Sequence, residues 1–208
     1  YDNVTKEFFV ARDRLGIKPL YYYEDNEGYI FSSEISSILR LVKNQEYDVI
    51  GLRQYRKLRT TFNNRTIYSA IKLFPAGHFM FSCKLHRYWE LPLYDKPAPS
   101  EEELFWLIKS AVDYRCISDV PIGTYLSGGL DSTIITSLSS ENIKPIHTWT
   151  VGFKEDNEFK YSDIASAKYS SLHNKILVDE NEFVESATSM IALRKEPLSV
   201  PNEVLINL

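Results

Sequence analysis

No run of apolar residues in this 208-residue chain approaches the roughly 20 needed to span a bilayer, so it reads as having no transmembrane helix. Cysteine is scarce. Cys83 and Cys116 form neither a CxxC pair nor a disulfide framework, and the expectation is a reducing, cytoplasmic setting. Basic charge is not in excess: the net charge is -4, which excludes the strong basic footprint of a general nucleic-acid binder. The one basic cluster, Arg53, Arg56, Lys57, Arg59 and Arg65, reads as a solvated helix face plus a turn. The four histidines lack metal-ligand spacing. His78 belongs to a Pro-Ala-Gly-His turn, His86 and His147 are isolated, and His173 precedes an expected strand and is read as packing. The sequons Asn3-Val4-Thr5 and Asn64-Arg65-Thr66 read as chance matches. There is no GxxxxGK(S/T) phosphate loop, no GxGxxG fingerprint, no internal repeat and no low-complexity segment.

What is present suffices for a folded core: 44% of residues are hydrophobic and 25% charged. The first 90 or so residues read mostly as strands. Phe8-Phe9-Val10-Ala11 is a short β run, followed by a turn-rich connection from Arg12 to Pro19. Leu20–Tyr23 and Tyr29–Ser32 flank Glu24-Asp25-Asn26-Glu27-Gly28 as a hairpin, and Ser33 is positioned to cap a short helix from Glu34 to Leu41. A second hairpin is expected from Thr66 to Trp89, with Pro75-Ala76-Gly77 as its turn. The domain reading is 1–91, a Pro-rich linker at 92–99, and 100–208.

Beyond the linker the pattern changes. Ser100 and Glu103 form a capping box, and Leu104, Leu107, Ile108, Ala111 and Val112 recur at helical spacing. A strand at Gly123–Leu126 precedes a helix starting near Ser132, with Ile134, Ile135 and Leu138 inward. A strand (Ile146–Phe153), a helix (about Ser162–Leu172), a strand (Lys175–Val178) and a helix (Glu182–Leu193) follow. Strands alternating with helices predict a parallel α/β sheet.

The segment Leu126-Ser127-Gly128-Gly129-Leu130-Asp131-Ser132 lies between a strand and a helix, at the carboxyl end of a parallel strand, where open α/β sheets bind ligands. Two adjacent glycines leave backbone amides open to an anion, Ser127 and Ser132 add hydroxyls, and the helix start points its positive end at the same place. This is the pattern of a pyrophosphate cradle. Asp131 would repel phosphate by itself, so its expected part is to hold the Mg2+ that accompanies it. The plainer alternative is a Gly-Gly turn with an Asp near a helix start.

Ser127 to Ser132 resembles the SGGxDS loop of ATP pyrophosphatases, and Asp119-Val120-Pro121-Ile122-Gly123 resembles the DVPxG segment that precedes it in asparagine synthetases. Thr148-Trp149-Thr150-Val151-Gly152-Phe153 is similar to the family's next strand. The amino half agrees. Ala11 to Tyr22, Phe31-Ser32-Ser33-Glu34-Ile35, and Arg65-Thr66-Ile67-Tyr68 through Pro75-Ala76-Gly77-His78 resemble the late glutaminase segment of glutamine-hydrolysing asparagine synthetases.

The resemblance implies the carboxyl half of an Ntn-type glutaminase β-sandwich (α+β) followed by part of a parallel α/β ATP-pyrophosphatase domain. It implies ATP and Mg2+ as cofactors, with Leu126, Ser127, Gly128, Gly129, Asp131, Ser132, Val151 and Gly152 around the nucleotide and Asp131 on the metal. The implied partners are glutamine and aspartate or another carboxylate, with no nucleic acid or membrane, and a homodimer for the complete enzyme.

The family's amino-terminal cysteine nucleophile and Asn-Gly oxyanion segment have no match here, and Cys83 and Cys116 do not stand in for that cysteine. No catalytic glutaminase residue is therefore assigned, nor is the family's later SGxGxDE segment matched. The chain reads as a piece of a longer protein, inactive alone, with a sheet left incomplete. Lys195-Glu196-Pro197-Leu198 resembles a segment that often reads Asp-Glu-Pro-Leu, and Lys195 in place of the acid leaves the acceptor open. The alternatives are a relative that amidates another carboxylate such as a sugar acid, an adenylating RNA-modifying protein, and a non-catalytic truncated relative.

Overall fold

The computed structural model describes residues 1–43, 45–93 and 97–207. It divides into two compact units, Tyr1–Tyr94 with Ala187–Glu203, and Asp95–Ser186 with Val204–Leu208. Part of the expected linker, residues 94–96, and the terminal Leu208 lie outside the described residues.

The first unit carries β1 (Phe9–Ala11), β2 (Tyr21–Asp25), β3 (Gly28–Ser32), α1 (Ile35–Leu39), α2 (Val49–Leu58), β4 (Ile71–Leu73), β5 (His78–Phe81) and β6 (Lys84–Arg87). These strands form two antiparallel three-stranded sheets, ordered β3-β2-β4 and β1-β5-β6. The β2–β3 hairpin forms as expected because Asp25 Oδ1 accepts from the amides of Glu27 and Gly28 and fixes the turn. Apolar spacing on α1 places Ile35, Ile38 and Leu39 in a core with Val42, Ile67, Tyr68 and Ile71. Arg12 organises the turn-rich connection, donating to the carbonyls of Lys18, Phe74 and Gly16.

Two expectations change here. The residue before α1 is Glu34, not Ser33, and it makes no side-chain cap bond; Ser32 Oγ accepts from the Glu34 amide instead. Nor does Pro75-Ala76-Gly77 turn a single hairpin. It carries the chain from β4, paired to β2, into β5, paired to β1 and β6. The hairpin turn in this region is Ser82-Cys83, both left-handed at φ 47° and 59°. The basic cluster matches its reading in part: Arg53, Arg56 and Lys57 lie exposed on α2 and Arg59 caps its end in the left-handed conformation, whereas Arg65 is half-buried and pairs with Asp48.

The remaining elements are α3 (Glu101–Arg115), β7 (Gly123–Tyr125), α4 (Leu130–Asn142), β8 (His147–Phe153), α5 (Phe159–Tyr169), β9 (Leu172–Val178), α6 (Glu180–Arg194) and α7 (Asn202–Asn207). In the second unit β7, β8 and β9 form a parallel sheet in that order, as the alternation of strands and helices predicts. Ser100 Oγ accepts from the Glu103 amide and starts α3. The apolar stripe on α3 is less covered than its spacing suggests: Val112 is buried, whereas Leu104 and Leu107 are about half exposed.

Helix α4 begins at Leu130, two residues before the expected start, which moves Asp131 into its first turn. Ile134 and Ile135 do not face inward; the buried residues of α4 are Thr136, Leu138 and Ser139. Polar residues are tolerated on that inner face because they find partners, as Thr136 does with Thr124 of β7 at 2.8 Å. No helix among the described residues is long and apolar enough to cross a membrane.

Candidate functional site

Parallel strands share their ends, so the segments that follow β7, β8 and β9 emerge on one edge of the sheet. The Leu126 amide donates to the Trp149 carbonyl and extends the ladder one residue past β7. Leu126 is fully buried, and the Thr150 hydroxyl donates to its carbonyl. The chain then turns. Gly128 has φ +84°, and a Cβ built there would stand 2.5 Å from Tyr161 Cβ and 2.6 Å from the Ser162 nitrogen. Glycine is required both by the left-handed backbone and by the close approach of α5. Gly129 caps α4 in extended conformation, and a Cβ there would meet only Ser127 Oγ, at 3.3 Å.

The hydroxyls draw the turn together. Ser127 Oγ lies 3.0 Å from Ser132 Oγ and accepts from the Gly129 amide, while Ser132 Oγ donates to the Gly129 carbonyl. The Thr133 amide reaches Gly129 C=O as the opening bond of α4. The amides of Leu130, Asp131 and Ser132 in the first turn therefore have no intrahelical acceptor. Asp131 projects from this turn into solvent. Val151 and Gly152 lie on the part of β8 that runs past the end of β7, so they share the sheet end with the loop. Gly152 also has a packing reason to be glycine, since a Cβ there would come within 2.6 Å of Asn157 Cβ.

The residues fit a nucleotide triphosphate by the form of this turn: a glycine cradle that an added Cβ would fill, first-turn amides, and two hydroxyls. For a metal, Asp131 supplies one carboxylate, and no group of three or more His, Cys, Asp or Glu stands together among the described residues. One carboxylate suits an Mg2+ whose remaining positions are filled by phosphate oxygens and water.

Sequence reasoning missed what lies beneath the loop. His173 falls inside β9 rather than before it, and it is more than packing. Its side chain is 9% exposed and sits among hydroxyls: Nδ1 is 2.8 Å from Thr148 Oγ1, and Nε2 is 3.3 Å from Ser162 Oγ and 3.5 Å from Thr150 Oγ1. Burial holds its pKa below the ordinary 6.5; Asp163 opposes that shift and Lys175 reinforces it. The alternation of Thr148 and Thr150 along β8 was the available signal, since threonine on alternate positions of a central parallel strand needs buried partners.

Lys195 and Glu196 group with the first unit. The Lys195 side chain is exposed, and its carbonyl accepts from the Tyr68 hydroxyl. Burial raises the Glu196 carboxyl above its usual range, against the pull of Arg194, and pushes the Tyr21 phenol beside it up to about 12.

A parallel sheet with a strand–SGGLDS–helix turn at the carboxyl end of its strands defines an open α/β class. The comparisons narrow that class. Residues 104–208 match the model of the asparagine synthase family and residues 1–89 that of a glutamine amidotransferase domain. The chain belongs to the asparagine synthase family. It is 32% identical over 213 residues to a protein of Methanocaldococcus jannaschii provisionally named glutamine-hydrolyzing asparagine synthetase 2, covering 95% of this chain and 41% of that protein. It is 26% identical over 231 residues to glutamine-hydrolyzing asparagine synthetase 3 of Bacillus subtilis, covering 95% of this chain and 36% of the relative. Amidase chry2 of Gibberella zeae is 33% identical over 159 residues, 69% of this chain and 23% of that protein. The chain thus spans well under half the length of these curated relatives.

Proposed function

We propose that the protein to which this chain belongs is an ATP-dependent amidotransferase. The observation that carries the reading is the Ser127–Ser132 turn, with Gly128 at φ +84° against α5 and the first-turn amides of α4 without intrahelical acceptors. Residues 1–91 are the end of a glutaminase domain of Ntn type, 92–99 a linker, and 100–208 the start of an ATP-pyrophosphatase domain. Ser127 and Ser132 hydroxyls and the amides of Leu130 to Ser132 hold the β- and γ-phosphates, Leu126 fixes the strand end beneath them, and the backbone at Val151 and Gly152 borders the adenine. Asp131 holds Mg2+, which supplies charge compensation for the departing pyrophosphate.

In the reaction, an acceptor carboxylate oxygen attacks the α-phosphorus. The bond from the α-phosphorus to the bridging oxygen breaks and pyrophosphate leaves. Ammonia from glutamine then attacks the acyl carbon, and AMP departs with the former carboxylate oxygen. The residues of this chain act on the first step by clamping negative charge in place before it develops. A reducing cytoplasm suits the free thiols Cys83 and Cys116.

The acceptor is aspartate in the leading reading. The second reading, amidation of another carboxylate, is favoured by Lys195 where the family often carries an acid. The test is acceptor-dependent release of AMP and pyrophosphate by the full-length protein across a panel of carboxylates. Aspartate-dependent release supports the leading reading. Release with a sugar acid and none with aspartate replaces the acceptor but keeps the reaction, and ATP turnover to ADP would overturn the reaction type.

A further inference from the structure

The pyrophosphate turn is supported at two points, and both supports meet a single side chain. The first is the Leu126 carbonyl, held by the Thr150 hydroxyl. The second is Gly128, whose backbone lies against Tyr161 and Ser162 at the start of α5. His173, on β9 at the far side of β8, reaches both: Nε2 is 3.3 Å from Ser162 Oγ and 3.5 Å from Thr150 Oγ1. Thr148 and Ser162 are fully buried and Thr150 is 5% exposed, so water does not replace a lost partner there.

Each hydroxyl around the ring has one proton to give. Thr150 gives its hydroxyl proton to the Leu126 carbonyl, and Ser162 gives its own to the Phe159 carbonyl. Neither has a second proton to offer His173, so both oxygens can only accept. A hydrogen bond from the ring to either oxygen therefore needs hydrogen on Nε2. On its other side Nδ1 lies 2.8 Å from Thr148 Oγ1, and Thr148 also lies 2.9 Å from Ser171 Oγ, whose own proton goes to Ser166 Oγ, so the single Thr148 proton is contested between Ser171 and Nδ1.

We propose that His173 is a positioning residue of the nucleotide site that holds Thr150 and Ser162 and through them Leu126 and Gly128 at the start of the pyrophosphate turn. It touches no substrate. The inference rests on the nucleotide-binding reading above and adds to it a residue outside the SGGLDS turn, on which ATP affinity depends.

Two substitutions separate this role from packing. In His173→Gln the amide nitrogen reaches the place of Nε2 and keeps a donor toward Ser162 and Thr150. In His173→Asn the side chain ends at the place of Nδ1, so the Thr148 contact survives and the donor to Ser162 and Thr150 is lost. ATP·Mg2+ affinity is measured by calorimetry on the complete protein, with glutamine hydrolysis by the same preparation as the folding control. The expected result is an affinity about tenfold weaker in His173→Asn, near wild type in His173→Gln, with glutamine hydrolysis unchanged in both. Equal ATP affinity in all three proteins, or equal loss in both variants, would overturn the positioning role. Absence of ATP binding by the wild type would overturn the nucleotide reading and this inference with it, a result distinct from the other two.

Discussion

At the scale of single residues, the turn depends on Gly128 for two separate reasons, and the Gly128→Ala substitution tests them together. The backbone at φ +84° is costly for any residue with a Cβ, and the new methyl would meet Tyr161 and Ser162 at well under van der Waals separation. A destabilisation of about 1–3 kcal/mol is expected from the backbone conformation alone, read as a lower urea midpoint. Gly129→Ala is the contrast. Its Cβ would meet only Ser127 Oγ, at 3.3 Å, so stability should change by less than about 1 kcal/mol, while the methyl enters the space assigned to phosphate and ATP binding falls. Equal destabilisation by the two substitutions would contradict the assignment of Gly128 to packing and Gly129 to ligand space.

At the scale of elements, α2 begins at Asp48, whose carboxylate accepts from the amides of Ile50 and Gly51 and pairs with Arg65 at 2.5 Å. Partial burial acts to raise the Asp48 pKa, but the Gly51 and Ile50 amides and Arg65 outweigh it and leave it below the ordinary 3.8. A carboxylate with a lowered folded-state pKa adds stability that is present in full above its unfolded value and is lost as pH falls through its folded value. Asp48→Asn should therefore be less stable than wild type at neutral pH, by about 1 kcal/mol, and the gap should close below pH 3.8. Urea unfolding of both proteins across that range checks the sign, and a gap that widens on acidification would contradict it.

Several of these elements were legible in sequence because their signals are local. The Asp-Asn-Glu-Gly turn, the Ser100 cap and the strand–helix alternation after residue 120 need only neighbouring residues. The Pro75-Ala76-Gly77 connection was not legible, because turn chemistry does not reveal that β4 pairs with β2 while β5 pairs with β1. The inner face of α4 was misread for a related reason. Thr136 and Ser139 look solvent-facing until a partner such as Thr124 is known. The loop itself was read from its glycines and hydroxyls, whereas the hydroxyl network around His173 joins α5, β8 and β9 and has no local signature.

At the scale of the whole molecule, the segment 194–203 is held within the first unit by tyrosine hydroxyls. Tyr55 donates to the Pro197 carbonyl and Tyr68 to that of Lys195, each at 2.7 Å, and Glu203 accepts from the amides of Ser199 and Val200. Replacing both tyrosines by phenylalanine keeps the rings and removes three bonds, that of Tyr55 to Ser199 Oγ included, each worth about 0.5–1.5 kcal/mol. Faster amide exchange at Ser199 and Val200, with β8 and β9 unchanged, is the expected outcome; unchanged exchange there would show that the tyrosines do not hold the segment. The claim on which the functional reading turns is that the SGGLDS turn binds ATP with its metal, and calorimetric titration of the complete protein with ATP, with and without Mg2+, tests it most directly. Binding strengthened by Mg2+ in the wild type, with that gain lost and the metal-free affinity kept or improved in Asp131→Ala, is expected. Mg2+-dependent binding of the same strength in Asp131→Ala, or no ATP binding by the wild type, would contradict it.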